Sequence, residues 1–528
     1  MKRTNILWIT ALALGWLFDF LFWKHAQGIN FAIYAVLCLG GGFLVLGLNG
    51  IKPSWKSLLL LVPILFFATM TFVRQEPVSI FLAFAFTLAL MGVLASTFLG
   101  GRWLWYSLSD YMVNYVKLAA SMVARPIIFW TESKKQKGET PEPAAPVSRS
   151  GWKRFWAILR GVLIAIPIIA IFAALLSSAD LVFAQQVQGF VKLFRLENLP
   201  EYIFRCFYIL IGAYALAGTM LYTAQKSRDE KLVGMDKPLV PSFLGFTEAA
   251  IVLGAVVVLF ALFAVVQVQY FFGGQTNIGV QGYTYAEYAR RGFSELVAVA
   301  FFSLLLFLSL SAVVKRQNQT QRWIFSGLGL GMVALVGVML FSAFQRLMLY
   351  EAAYGFSRLR AYTHVFMIWL GVLLAVVLVL DILRKERTFA LAALLASIGF
   401  AVTLTLLNVD GFIVRQNVAR AAAGESLDVA YLASLSSDSV PALVAAYQDQ
   451  TLPENTRDAV GAALVCHEHD SSGSGDQNWR IYTLSGGRAD QALRQVQSRL
   501  DAYQILEIDW PVQVQTPLGK KYDCSSTG

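Results

Sequence analysis

Charge is what this sequence has least of. Only 14% of its 528 residues are Asp, Glu, Lys or Arg, 57% are hydrophobic, and the mean hydropathy is +0.58. So little charge cannot clothe the surface of a soluble protein this long, so most of the chain needs lipid as its solvent. Cysteine is scarce as well. Four residues exclude a disulfide-rich scaffold and any multi-cysteine zinc or iron–sulfur site of standard spacing. No G-x-S-x-G, H-E-x-x-H or Walker pattern occurs. Gly327-Leu328-Gly329-Leu330-Gly331 lies inside an apolar run and follows no strand, which indicates close helix packing and not a nucleotide loop. Cys466-His467-Glu468-His469-Asp470 has ligand-type side chains, but neighbours on one loop give poor coordination geometry. Neither a metal nor a cofactor is expected. The net charge of +10 does not signal nucleic acid, because no basic run is interleaved with stacking aromatics.

What the chain has is long apolar runs. At roughly 20 residues per bilayer crossing, the pattern predicts an all-α, polytopic integral membrane protein. The spans fall at 6–23, 31–48, 58–73, 80–99, 156–176, 202–223, 247–268, 293–314, 324–344, 364–380 and 389–407. The first is too long and aromatic, and lacks a small-residue cleavage site, so it reads as an inserted helix and not a signal peptide. With the N-terminus cytoplasmic, the inner segments hold many more basic residues than the outer loops, among them Lys52, Lys56, Lys226, Lys315, Arg316, Arg384 and Lys385. Eleven crossings then leave the tail extracytoplasmic. Four parts follow: a four-helix membrane part (1–100), an interfacial helix and polar cytoplasmic linker (101–154), a seven-helix membrane domain (155–407), and a tail (408–528). The tail is acidic and mostly helical, with helices expected at 427–435, 440–447, 454–466 and 489–503. In an extracytoplasmic tail Cys466 and Cys524 could form a disulfide; free thiols are the alternative.

Ionisable residues inside spans are costly, so Asp19, Arg160, Arg205, Glu248 and Glu295 are candidates for a proton or ion path, weighed against snorkelling or structural pairing. The outer loops carry more. One reads GYTYAEYARRGFSEL, with Tyr285, Glu287, Tyr288, Arg290 and Arg291. Another reads YEAAYGFSRLRAYTH, with Tyr350, Glu351, Tyr354, Arg358, Arg360 and Tyr362. Asp410 and Arg415 open the tail on the same expected face. These residues are the candidate ligand site, for an anionic head group or another envelope protein. Closure of helical hairpins is the plainer explanation of the same residues.

The segments LLSSADLVF, YTYAEYARRGFSELVAVA, YGFSRLRAYTHVFMIWLG, LNVDGFIVRQNVAR and LDVAYLASLSSDSVPALV resemble an uncharacterised family of bacterial polytopic membrane proteins, a domain of unknown function (the 4153/4173 group). The resemblance runs from residue 156 to about 447 and more weakly through NWRIYTLS; Leu181 stands where a proline is usual. It implies a bacterial cytoplasmic membrane location and supplies no activity. Three functions remain in play: a non-enzymatic envelope protein binding through its outer face, a secondary transporter, and a membrane enzyme acting on lipid-linked substrates.

Overall fold

The computed structural model describes residues 3–136, 199–227, 243–272, 293–471, 478–506 and 512–524, with isolated positions between 160 and 180 and at Leu232. The chain forms two compact units. The smaller comprises Lys2–Phe20 and Ala120–Leu221. In it α1 (Thr4–Phe22) meets the helix that carries Arg205 through small-residue packing, Ala11 against Ala213 and Ala217, and through an ion pair whose acid, Asp19, is buried. Arg205 donates from Nε (3.0 Å) and Nη2 to the carboxylate of Asp19.

The larger unit, Leu21–Ala119 with Tyr222–Gly528, holds the rest. Its helices are α2 (Ile29–Leu48), α3 (Trp55–Leu58), α4 (Leu61–Val73), α5 (Pro77–Thr97), α6 (Leu108–Gln136), α7 (Leu199–Lys226), α8 (Phe246–Phe272), α9 (Phe293–Val313), α10 (Gln319–Tyr354), α11 (Arg358–Ile382) and α12 (Phe389–Leu407), of which α6 and α7 extend into the smaller unit. Among the described residues eleven helices, counting α3 and α4 as one, are long and apolar enough to cross a membrane. Their outward side chains, such as Val62, Phe81, Val258 and Leu330, are exposed apolar groups suited to lipid. Inside, α9 and α10 close on each other at Gly329, where a Cβ would sit 2.5 Å from the Phe307 ring; the flanking Gly327 and Gly331 have room for one, so close packing accounts for the middle glycine of the run alone.

One crossing differs from expectation. The stretch read as interfacial is a helix whose part Leu108–Glu132 meets the length and apolarity of a span. Tyr115 lies along α5 and donates to its Ala89 carbonyl, and apolar and aromatic residues around the helix outweigh Lys117 and Arg125. The span expected at 156–176 lies largely outside the described residues. A count of crossings therefore does not fix the side of the tail, but the helix ends do distinguish two faces of this unit.

At one end Trp103 donates to the Lys56 carbonyl, Arg387 reaches the Trp105 carbonyl and Asp110, and Arg316 pairs with Asp381 at 2.9 Å. At the other end lie the turns 24–28, 74–76 and 355–357 and the break at Asn408, where the tail begins. Asn408 adopts φ +51 and its side chain accepts from Gly411 N, stopping α12 and starting α13 (Val409–Ala422).

The tail continues as α14 (Val429–Ala433), α15 (Val440–Gln448), α16 (Glu454–Ser471), α17 (Leu484–Arg494) and α18 (Gln497–Leu500), then a three-stranded antiparallel sheet of β1 (Gln504–Leu506), β2 (Gln513–Gln515) and β3 (Lys521–Asp523). Its apolar core is continuous with residues of α11 and α12, including Ala361, Val365 and Leu404. Two details depart from the sequence reading. The Cys466–Asp470 stretch continues helix α16, not a loop, and the sheet was not foreseen because its strands are three residues long and polar. Cys466 and Cys524 form a disulfide that ties the last strand to α16.

Candidate ligand-binding face

The tail-bearing end is built around the α10–α11 turn. Gly355 has φ +80, and a Cβ there would meet Asn417 Oδ1 at 2.7 Å and Arg420 Nη1 at 2.8 Å, so the position needs glycine twice over. Asn417 reads both sides of the turn, accepting from Phe356 N (2.7 Å) and donating to Phe356 O (2.9 Å). Arg420 donates to the carbonyls of Ala352 and Ala353, at 3.0 Å each. These are last-turn carbonyls of α10, at the negative end of its dipole, and a guanidinium answers both problems. Arg360 donates to the Gly355 carbonyl and stacks 4.3 Å above Tyr350, whose ring lies 4.8 Å from that of Tyr354.

Arg358 has another destination. It forms a two-pronged pair with fully buried Asp410, both bonds 2.7 Å, and Asp410 also accepts from the backbone and hydroxyl of Ser436. Its backbone N–H donates to Tyr431 at 2.9 Å. Burial pushes the Tyr431 phenol above the usual tyrosine range, although the Arg358 contacts oppose it. Glu351 is buried and pairs with His364 at 2.9 Å. Much of this loop thus closes the hairpin, the plainer of the two readings.

A recess remains open beside it. Its volume is about 350 Å³, and Tyr354, Arg360, Asn417, Arg420, Asp428 and Tyr431 line it with neighbouring backbone. Asp428 is spent on Tyr431 N as the cap of α14. Glu425 lies 3.6 Å from Arg420, but its side chain is 58% exposed. The two guanidinium groups therefore face the recess with little buried counter-charge. Neither Glu351 nor Arg358 lines it. Arg415 is exposed on the wall of a different cavity, with Pro441 and Ala445.

The other sequence candidates scatter. Tyr285, Glu287, Tyr288, Arg290 and Arg291 lie outside the described residues. Glu248 accepts from Gly245 N at 2.8 Å at the start of α8, and Glu295 accepts from Ser294 at 2.9 Å. Arg160 is exposed. Among the described residues no group of three or more His, Cys, Asp or Glu is gathered as for a metal.

The sequence reading missed the α4–α5 turn. Glu76 is buried and caps α5, accepting from Val78 and Ser79 N–H, and Tyr362 donates to it from α11. Asp438, also buried, accepts from the backbone of Gln75 (2.6 Å) and Glu76 (3.0 Å) and lies 3.4 Å from Arg74. Together with Arg358–Asp410, these contacts stitch α5, α11, α13 and the α14–α15 loop into one buried polar network. The signal was an acid immediately before a proline, Glu76-Pro77, the pattern of a helix start.

The family model of a domain of unknown function (DUF4153) matches residues 61–446. The chain belongs to this family. The DUF4153 region starts in α4 and ends in α15, so it holds every contact of this network. It also begins well before residue 156, so part of the front membrane segment belongs to it. No curated protein and no solved structure matches the chain.

Proposed function

We propose that this membrane protein is a non-enzymatic binding protein whose tail-bearing face lies outside the cytoplasm and takes an anionic group, a head group or a small solute, in the recess of Arg360 and Arg420. One observation carries the reading. Two guanidinium groups from separate elements, already fixed by helix-end carbonyls and a tyrosine ring, converge on a polar recess whose one lining acid is turned into its own helix cap. Fixed donors bind with little ordering cost, and partial burial strengthens the attraction.

The orientation has two supports. Lys52, Lys56, Arg102, Lys315, Arg316, Arg322, Arg384, Lys385 and Arg387 gather at the end away from the tail, as cytoplasmic loops require. The tail carries the disulfide, a bond that persists in oxidising compartments. Transport is less well supported, because Asp19, its best single residue, is committed to Arg205.

The test uses the full chain in phosphatidylcholine nanodiscs, titrated with inorganic phosphate and with added phosphatidylglycerol. Arg360→Gln should weaken anion binding by about tenfold, the loss of one charge-assisted contact. Equal affinity in the variant, or no anion binding by the wild type, rejects the proposal.

A further inference from the structure

A second recess on the same face differs from the first in its chemistry. Its volume is about 550 Å³, and it opens between the α4–α5 turn, the α14–α15 loop and the C-terminal part of the tail. Gln27, Arg74, Gln75, Ser437, His467 and Thr483 supply its polar lining, and Ile80, Ala433 and Leu435 supply apolar patches.

Arg74 is the one permanently charged lining residue, and it is already engaged: Nε donates to the Thr405 carbonyl at 2.8 Å and Nη1 lies 3.4 Å from Asp438. Local charge is therefore close to balanced, unlike that of the Arg360–Arg420 recess. The other polar groups are amides, hydroxyls and an imidazole, which both give and accept hydrogen bonds. An oxyanion only accepts. A sugar hydroxyl does both, and its ring adds a C–H face for the apolar patches.

The lining is also held before any ligand arrives. Asp438 fixes the backbone of Gln75 and Glu76, and Asn408 donates to the Asp438 carbonyl at 3.2 Å. Gln75 Nε2 donates to the Thr483 hydroxyl at 2.6 Å, which leaves Oε1 as an acceptor. His467 Nδ1 lies 3.3 Å from the Ala433 carbonyl, which orients its ring. A polar, braced cleft of this size suits a small ligand.

We propose that this recess binds a neutral polyhydroxylated ligand, a sugar unit or polyol. Gln27 and Ser437 contact its hydroxyls, and Arg74 donates with the charge already balanced by Asp438.

The full-length protein in phosphatidylcholine nanodiscs, free of glycosidic detergent that would compete, is titrated with glucose, N-acetylglucosamine, maltose and glycerol, and separately with phosphate and acetate. Saturation-transfer NMR reads the contact and calorimetry the affinity. At least one of the four neutral probes should bind in the millimolar range. Gln27→Ala and Ser437→Ala should each weaken that binding by about tenfold. Arg360→Gln, in the other recess, should leave it unchanged. Gln27 is exposed and Ser437 half-buried, so unchanged thermal unfolding is expected for both variants. The proposal is overturned if none of the four binds, if only phosphate or acetate binds, or if neutral-ligand binding survives both variants. Loss of phosphate binding in Arg360→Gln alone bears on the first recess and not on this one.

Discussion

Asp410 shows how much one residue holds here. Its carboxylate is fully buried, takes both prongs of Arg358, and accepts two bonds from Ser436. Removing one member of a buried pair leaves the other without compensation, at a cost of about 3–5 kcal/mol. Asp410→Ala should fall near the lower end, because the side chain of Arg358 is 25% exposed and water can reach it. Arg358→Ala should cost at least as much, since it strands a carboxylate that no water reaches. Thermal unfolding in nanodiscs checks the order; an Asp410→Ala protein as stable as wild type would refute it. The tail's tyrosines give a pH counterpart. Burial raises the Tyr503 phenol well above its usual range, with Tyr447 and Asp458 adding to it, and Tyr431 and Tyr522 move the same way. A raised folded value means that the folded tail holds these protons more tightly than the unfolded chain. That stabilisation is complete below the ordinary tyrosine value of about 10 and is lost as pH rises through the folded values. The share of phenolate absorbance that a Tyr503→Phe variant lacks should therefore appear together with loss of tail helicity; that share forming near pH 10 with helicity intact would count against it.

At the scale of elements, the break between α12 and α13 turns a membrane helix into a tail helix. Asn408 does this with positive φ and a side-chain cap; Asn408→Val and Asn408→Gly both lose the cap and the bond to the Asp438 carbonyl, but only the valine meets a strained backbone. The valine variant should unfold at the lower temperature, and parity between the two would show that φ does not matter there. The disulfide acts on a different element: Cys524→Ser should free the last strand from α16 and expose it to trypsin at Lys520 and Lys521, while α13–α15 stay protected. The long apolar helices were legible because length and apolar content determine them almost alone. The meeting of Arg358 with Asp410 was legible as a shared face, since both open segments on one side of the membrane pattern. Glu76 and Asp438 were not. Each is a lone acid in a short turn, and what matters about it is a partner hundreds of residues away. Arg358 and Arg360 of the α10–α11 turn were found but undivided: spacing does not say that Arg358 serves Asp410 while Arg360, together with Arg420 of α13, borders a recess.

For the whole molecule, the side on which the tail lies decides what either recess can meet. Parity of crossings does not decide it, because α6 joins the candidate crossings while most of 156–176 lies outside the described residues. Contacts between helix ends avoid the count. Lys385 lies at the basic end and Leu518 in the tail, and both are exposed. In a Cys38→Ser, Cys206→Ser background that retains the Cys466–Cys524 disulfide, Leu518→Cys should react with a membrane-impermeant maleimide on intact bacterial cells. Lys385→Cys should react only after lysis. If a basic end and an oxidised tail are a sound guide to orientation, the two sites must report opposite sides. Labelling of Lys385→Cys from outside, with Leu518→Cys protected until lysis, would place both recesses in the cytoplasm. That would make a sugar or head group of the outer envelope the wrong ligand for either of them.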